Sequence, residues 1–227
     1  MNLSSYRISI SELKRLFKKL GLLKAQYDKK CSFSSAFIEQ SRKGNYIDIY
    51  KTAIQNLDYD ILLFDDSIFQ FSFINSTDNG KVIRYAYYQF PFDILPYDEY
   101  LRENGFSYEE VGDYFLEEYG QQVAEARLNN SALAIRYDFS IEEYASGIHP
   151  ASHFHVGLNN HFRLPIAYYL TPTMFGVFII KQIYYEQWKQ FLSNTSFRHK
   201  FEKFKKQCMQ LEHLYFNALD KKELYLY

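Results

Sequence analysis

In five stretches between Ser67 and Ile166 apolar side chains return at every second residue, a period that fits only strands with one buried face. The first begins at Ser67, with Phe69, Phe71 and Phe73 on one side and Gln70 and Ser72 on the other. A polar "NSTDNGK" turn follows, in which Asn79-Gly80 tolerates positive φ, and "VIRYAYYQF" returns as the second arm of a hairpin. A third strand is predicted in "SALAIRYDFS". Leu133, Ile135, Tyr137 and Phe139 share one face there, and Ala132, Ala134, Arg136 and Asp138 share the other. The fourth lies in "HPASHFHVG", where Phe154, Val156 and Leu158 oppose His153, His155 and Gly157. After an "NNH" turn, "FRLPI" makes a short fifth strand with Phe162, Leu164 and Ile166 on the apolar side and Arg163 opposite. Pro165 confines it to an edge.

Helical spacing takes over on either side. Ser9 and Glu12 read as a capping box that opens a helix running to the late twenties, with Leu13, Leu16, Phe17 and Leu20 inward. Its outer face carries Lys14, Arg15, Lys18, Lys19 and Lys24, a basic stripe that reads either as a solvated face or as a phosphate contact. A second helix follows Asn45. Ser107 and Glu110 open an acidic helix, "SYEEVGDYFLEEYGQQVAEAR", inserted between the second and third strands. Thr171, with Pro172 at the first helical position, caps an apolar helix that runs to about Leu192. The last helix begins near Thr195, and Phe197, Phe201, Phe204, Cys208, Leu211 and Tyr215 form a lengthwise seam packed on the preceding helix.

The predicted fold is therefore α+β: an antiparallel sheet of about five strands, helices on its apolar face and a C-terminal α-hairpin. The chain reads as one domain, with a helical part over 1–60, the sheet with its inserted helix over 61–170, and the helical hairpin over 171–227. No repeat or Ser/Gly linker divides it. The formal net charge of -1 removes a global field for nucleic acid, so such binding would need local patches. The 22 Tyr and 21 Phe fit core filling and AT-rich codon usage better than base-stacking platforms. Cys31 and Cys208 cannot build a disulfide framework, no signal-peptide layout opens the chain, and "LPIAYYLTPTMFGVFII" is interrupted at Thr171-Pro172. These features predict a cytoplasmic protein with no membrane partner.

Pleating gathers the chemistry. If the apolar sides of neighbouring strands face one core, then Arg136, Asp138, His153, His155 and Arg163 emerge together from the other surface, over small Ala132, Ala134 and Gly157. Two imidazoles could divide acid and base roles in cleaving a phosphodiester. Arg136 or Arg163 could hold a phosphate bidentately, and Asp138 could orient a histidine. The expected catalytic set is His153, His155, Asp138 and Arg136, with Arg163 and His149 binding substrate. His-x-His also begins a transition-metal set that Asp138 or His149 would complete, but nothing in the sequence forces a metal, and none is assigned. A self-satisfied Arg-Asp-His hydrogen-bond network would have the same sequence. Cofactor, substrate and oligomeric state are left open.

The order Arg136-Tyr137-Asp138, His149-Pro150, His153, His155, Gly157, Arg163, Pro165 and an apolar helix ending at Tyr184 resembles the bacterial domain-of-unknown-function family 2290. Members of this family are similar to the smaller product of a two-gene anti-phage defence module whose other product is a helicase. The resemblance implies a helicase partner and a role near nucleic acid; taken with the histidine cluster, it leaves two readings, a nuclease-like effector and a non-enzymatic regulatory subunit that binds the helicase. A looser likeness, an Arg-Tyr-Asp strand and clustered histidines after an aromatic hairpin, links the chain to toxins of toxin–antitoxin pairs.

Overall fold

The computed structural model describes residues 1–28, 32–75, 80–91, 95–129, 132–158 and 161–222. Helix α1 spans Leu3–Lys19. It starts seven residues before the predicted box at Ser9: Asn2 Oδ1 accepts from the Ser5 N–H at 2.9 Å and the Ser5 hydroxyl accepts from the Asn2 N–H at 3.0 Å. Ser9 is instead buried inside the helix, where its hydroxyl bonds Thr173. The helix also ends earlier than predicted, because Gly21 takes a positive φ of 70° and turns the chain into strand β1, Leu23–Gln26. Lys14 leaves the basic stripe: it is buried, donating to Asp28 and to the Tyr27 carbonyl, both at 2.8 Å.

Helices α2 (Ser35–Lys43) and α3 (Tyr46–Gln55) follow, capped by the side chains of Ser34 and Asn45. The second was predicted, and the first was not. Three antiparallel strands come next, β2 (Ile61–Leu63), β3 (Ile68–Asn75) and β4 (Lys81–Tyr88). The predicted β3–β4 hairpin is an eight-pair ladder, although Asn79 of its turn lies outside the described residues. Helix α4 (Tyr97–Glu103) precedes the acidic segment, which is broken where one helix was expected. Ser107 and Glu110 do form their capping box, but Gly112, at φ 51°, ends α5 (Tyr108–Val111) before α6 (Leu116–Asn129) begins.

Strands β5 (Ala134–Ser140), β6 (Ser152–Val156) and β7 (Leu164–Pro165) complete the sheet, with the proline on an edge strand as predicted. The expected five strands are seven, in simple sequential order and antiparallel throughout; β1 and β2 are the additions. Strand β8 (Tyr168–Tyr169) leads into α7 (Pro172–Ile183), whose N-cap Thr171 accepts from the Met174 N–H at 3.2 Å. The apolar helix does not continue to Leu192. Tyr184 interrupts it with φ -109° and ψ 70°, and α8 (Tyr185–Ser193) starts afresh. At the break the Tyr184 hydroxyl donates to Asp65 at 2.8 Å and meets the Tyr87 hydroxyl at 3.0 Å.

Helix α9 (Thr195–Gln207) carries only the first half of the predicted seam. Its backbone leaves the helix at Cys208 to form β9 (Met209–Gln210), which pairs with β8, so the expected hairpin is three helices and a small ribbon followed by one further short helix. Tyr215 ends against the Tyr144 ring, short of helix α10, Ala218–Lys222. Among the described residues no helix is long and apolar enough to cross a membrane.

From β3 to β5, and at Phe154 of β6, the aromatic face of the sheet is buried as the alternation requires, but Val156, Phe162 and Leu164, expected on that buried side, are exposed towards the β7 edge, and Leu158 packs with the residues of the opposite face. Phe69, Phe71, Phe73, Tyr85, Tyr87, Tyr137 and Phe154 pack beneath Tyr6, Leu13 and Phe17 of α1 and Phe175 of α7 in one core. The other face is also partly covered, which a single apolar face did not predict. There Phe37, Ile49, Tyr50 and Ala53 of α2 and α3 lie on Ile68, Ala86, Tyr88 and Ala134. The second core stops at Ala86 and Ala134. One pleat further along the same face, Arg136 pairs with Ala86 and begins the polar cluster.

Candidate functional site

Register alone assembles the cluster. In the β5–β6 ladder Arg136 pairs with His155 and Asp138 with His153, so four of the sequence-selected side chains occupy adjacent positions of one surface. Both imidazoles are buried, His153 to 2% exposure and His155 to 5%, while the Asp138 side chain keeps 25% and marks the solvent side of the group.

The His153 ring is fixed at both nitrogens. Its Nδ1 lies 2.8 Å from the Pro150 carbonyl oxygen, which can only accept, so Nδ1 carries the proton and Nε2 offers a lone pair. That Nε2 is 3.0 Å from His155 Nε2, and the latter is 3.4 Å from Asp138 Oδ2. One ring proton on His155 therefore faces two acceptors. Burial, reinforced by His155 and His149, pulls the His153 pKa down to about 4 against the opposing pull of Asp138, so the ring is neutral at pH 7. Burial by itself would raise the Asp138 carboxyl, but the His155 hydrogen bond and the charges of Arg136 and Arg84 outweigh it and hold the group below the usual carboxylate range. Asp138 is accordingly an anion.

The remaining selected residues flank this centre. His149 sits where the β5–β6 connection closes on itself through paired Ala145 and His149 backbones, and its ring meets His153 edge-on at 5.0 Å. Arg163 precedes β7, with its Nη1 3.4 Å from the His161 carbonyl. The Nε atoms of Arg136 and Arg163 and the Nδ1 atoms of His149 and His155 are all buried without a hydrogen-bond partner among the described residues. Clustered orphan polar atoms of this kind are uncommon in a merely structural network, which would satisfy itself. The sequence reading missed Arg84, which pairs with Asp138 across the β4–β5 ladder. Its signal was available, since Arg84 falls between core Ile83 and Tyr85 on the polar side of a predicted strand.

His153, His155 and Asp138 thus each bring a ligand atom to one place, the three atoms lying within 4.8 Å of one another, with His155 Nε2 closest to His153 Nε2 and to Asp138 Oδ2. The set can relay a proton, orient an attacking water or hold a cation, and the adjacent guanidinium of Arg136 favours an anionic ligand.

No curated protein and no solved structure matches the chain. A family described as an uncharacterized conserved protein, DUF2290, matches residues 17–217, which contain every residue of the cluster. The chain belongs to that family.

Proposed function

We propose that the protein is the nucleic-acid-processing component of a cytosolic bacterial anti-phage module that acts with a helicase, and that its His-Asp-Arg centre cleaves phosphodiesters. The observation that carries the chemistry is the β5–β6 register, which sets two imidazoles and an ionised carboxylate beside Arg136. The centre supplies water activation and proton transfer, and the arginines hold a phosphate and offset charge that builds on it. The helicase and the defence role rest on the family resemblance. A helicase partner would also deliver nucleic acid to a protein whose net charge of -1 does not attract it.

A second reading is favoured by the burial of both rings and their bond to each other: a non-enzymatic subunit that binds the helicase, in which the cluster only stiffens β5 and β6. A His153→Ala/His155→Ala variant separates the two when folding, helicase binding and phage protection are measured together. Protection lost from a folded, helicase-bound variant supports the catalytic reading. Full protection refutes it, and loss of the fold or of the complex favours the second.

A further inference from the structure

The converging atoms carry more than an acid–base pair. His153 Nε2 holds a lone pair, because its other nitrogen is committed to the Pro150 carbonyl, and Asp138 is an acceptor at every lone pair when ionised. Only the proton of His155 Nε2 stands between these acceptors, and it cannot satisfy both well at 3.0 Å and 3.4 Å. A dication satisfies all three at once when the His155 proton moves from Nε2 to Nδ1, a buried atom with no hydrogen-bond partner among the described residues. Ligand bonds of about 2.1 Å separate two nitrogens by 3.0 Å when they meet the ion at about 90°, and separate nitrogen from oxygen by 3.4 Å at about 110°. Both angles suit a facial set of ligands. The hydrogen bond from His153 Nδ1 to a backbone carbonyl is the outer contact that metal-bound imidazoles ordinarily make, since it fixes the tautomer and turns Nε2 to the ion.

We infer that His153 Nε2, His155 Nε2 and Asp138 Oδ2 form a three-ligand site for a first-row divalent transition-metal ion. Its remaining positions are left to water and an anionic oxygen such as that of a phosphate. Two imidazoles and one carboxylate favour Mn, Fe, Co or Zn over Mg and Ca, which prefer all-oxygen sets. The ion with one carboxylate leaves a net positive centre, and Arg136 beside it adds to the attraction for an anion. Only the identity of that anion rests on the proposed phosphodiester chemistry. The metal site itself does not.

The test uses the full chain, stripped with a chelator and titrated separately with Zn²⁺, Mn²⁺, Co²⁺ and Mg²⁺, with bound metal measured by mass spectrometry. One equivalent of a transition ion is expected, with Mg²⁺ held at least about 100-fold more weakly. His153→Ala should lower transition-metal affinity by at least about 100-fold, and Asp138→Asn by about tenfold or more, with circular dichroism unchanged. Should a variant fail to fold, pulsed EPR of the Mn²⁺-loaded native protein still decides, because nitrogen couplings from two imidazoles are required. Less than a tenth of an equivalent of each transition ion, or binding without imidazole couplings, overturns the site. Metal bound in this way with no cleavage of DNA or RNA, even with the helicase present, retains the site and removes the nuclease reading. Cleavage by chelator-stripped protein that binds no metal does the reverse.

Discussion

Replacing Tyr137 by Phe removes one atom, and the structure says what that atom does. Tyr137 is fully buried at the centre of the sheet, and two polar groups depend on its hydroxyl. Ser152 Oγ is 2.8 Å from the Tyr168 carbonyl, which can only accept, so the serine donates there. The Tyr137 hydroxyl, 2.9 Å from the same Oγ, must then donate to the serine, and its own oxygen accepts from the Leu170 N–H at 3.0 Å. Burial pushes the phenol upward, so the proton stays in place across the accessible pH range. Tyr137→Phe deletes two hydrogen bonds and leaves a buried backbone N–H without a partner. Such a loss costs about 2–3 kcal/mol, against about 1 kcal/mol for an ordinary bond. Tyr85→Phe is the internal control, since that hydroxyl makes one long bond, 3.3 Å, to the Leu170 carbonyl. Urea unfolding of the two variants should differ by more than about 1 kcal/mol at unchanged m-value. For a chain of 227 residues the Tyr137→Phe loss lowers Tm by roughly 4–12 °C. A Tyr137→Phe cost equal to or below that of Tyr85→Phe would refute the donor assignment through Ser152, the residue that precedes His153 on β6.

Gly176→Ala, where a Cβ would collide with buried Leu13 at the α1–α7 contact, should destabilise by about 1–3 kcal/mol in the same assay. Gly120→Ala on exposed α6, with open space around it, should instead stabilise by about 0.5–1 kcal/mol, and equal signs would contradict the packing described. Buried Asp220 accepts from the Tyr144 hydroxyl at 2.8 Å and the Asn217 N–H at 2.9 Å, tying α10 to the connection that carries His149. Asp220→Ala should cost about 2–4 kcal/mol and speed amide exchange at residues 144–149; unchanged exchange there would remove the tie. Burial raises the Cys208 thiol above its ordinary pKa. In a Cys31→Ser background, alkylation at pH 8 should therefore run slower than for a free thiol, and an equal rate would count against that environment.

Within the sheet, local pattern and final structure agree because a strand's side-chain period is two whatever it packs against. Phe69, Phe71 and Phe73 had to leave on the same side, and once β5 and β6 paired so that Tyr137 met Phe154, Arg136 and Asp138 had to meet His155 and His153. The candidate site was legible for that reason. Strands β1 and β2 were not, since four and three residues are too short to display a period, and their pairing is long-range. Helix ends were misread wherever a tertiary partner outbid a local signal. Ser9 serves Thr173 across the α1–α7 contact in place of a cap, Tyr184 leaves the helix for Asp65 and Tyr87, and the seam beyond Phe204 gives up its helical hydrogen bonds to pair with β8.

The sequence by itself determined the alternation, the α+β class and the side of the sheet on which His153 and His155 emerge, because pleating is a property of the backbone. Only the tertiary structure decided how far apart the nitrogens stand, which of them keeps a lone pair, and that the opposite end of the polar face is sealed by α2 and α3. Those quantities depend on strand register, on a carbonyl supplied by Pro150 and on helices far away in the chain, none of which a local period encodes.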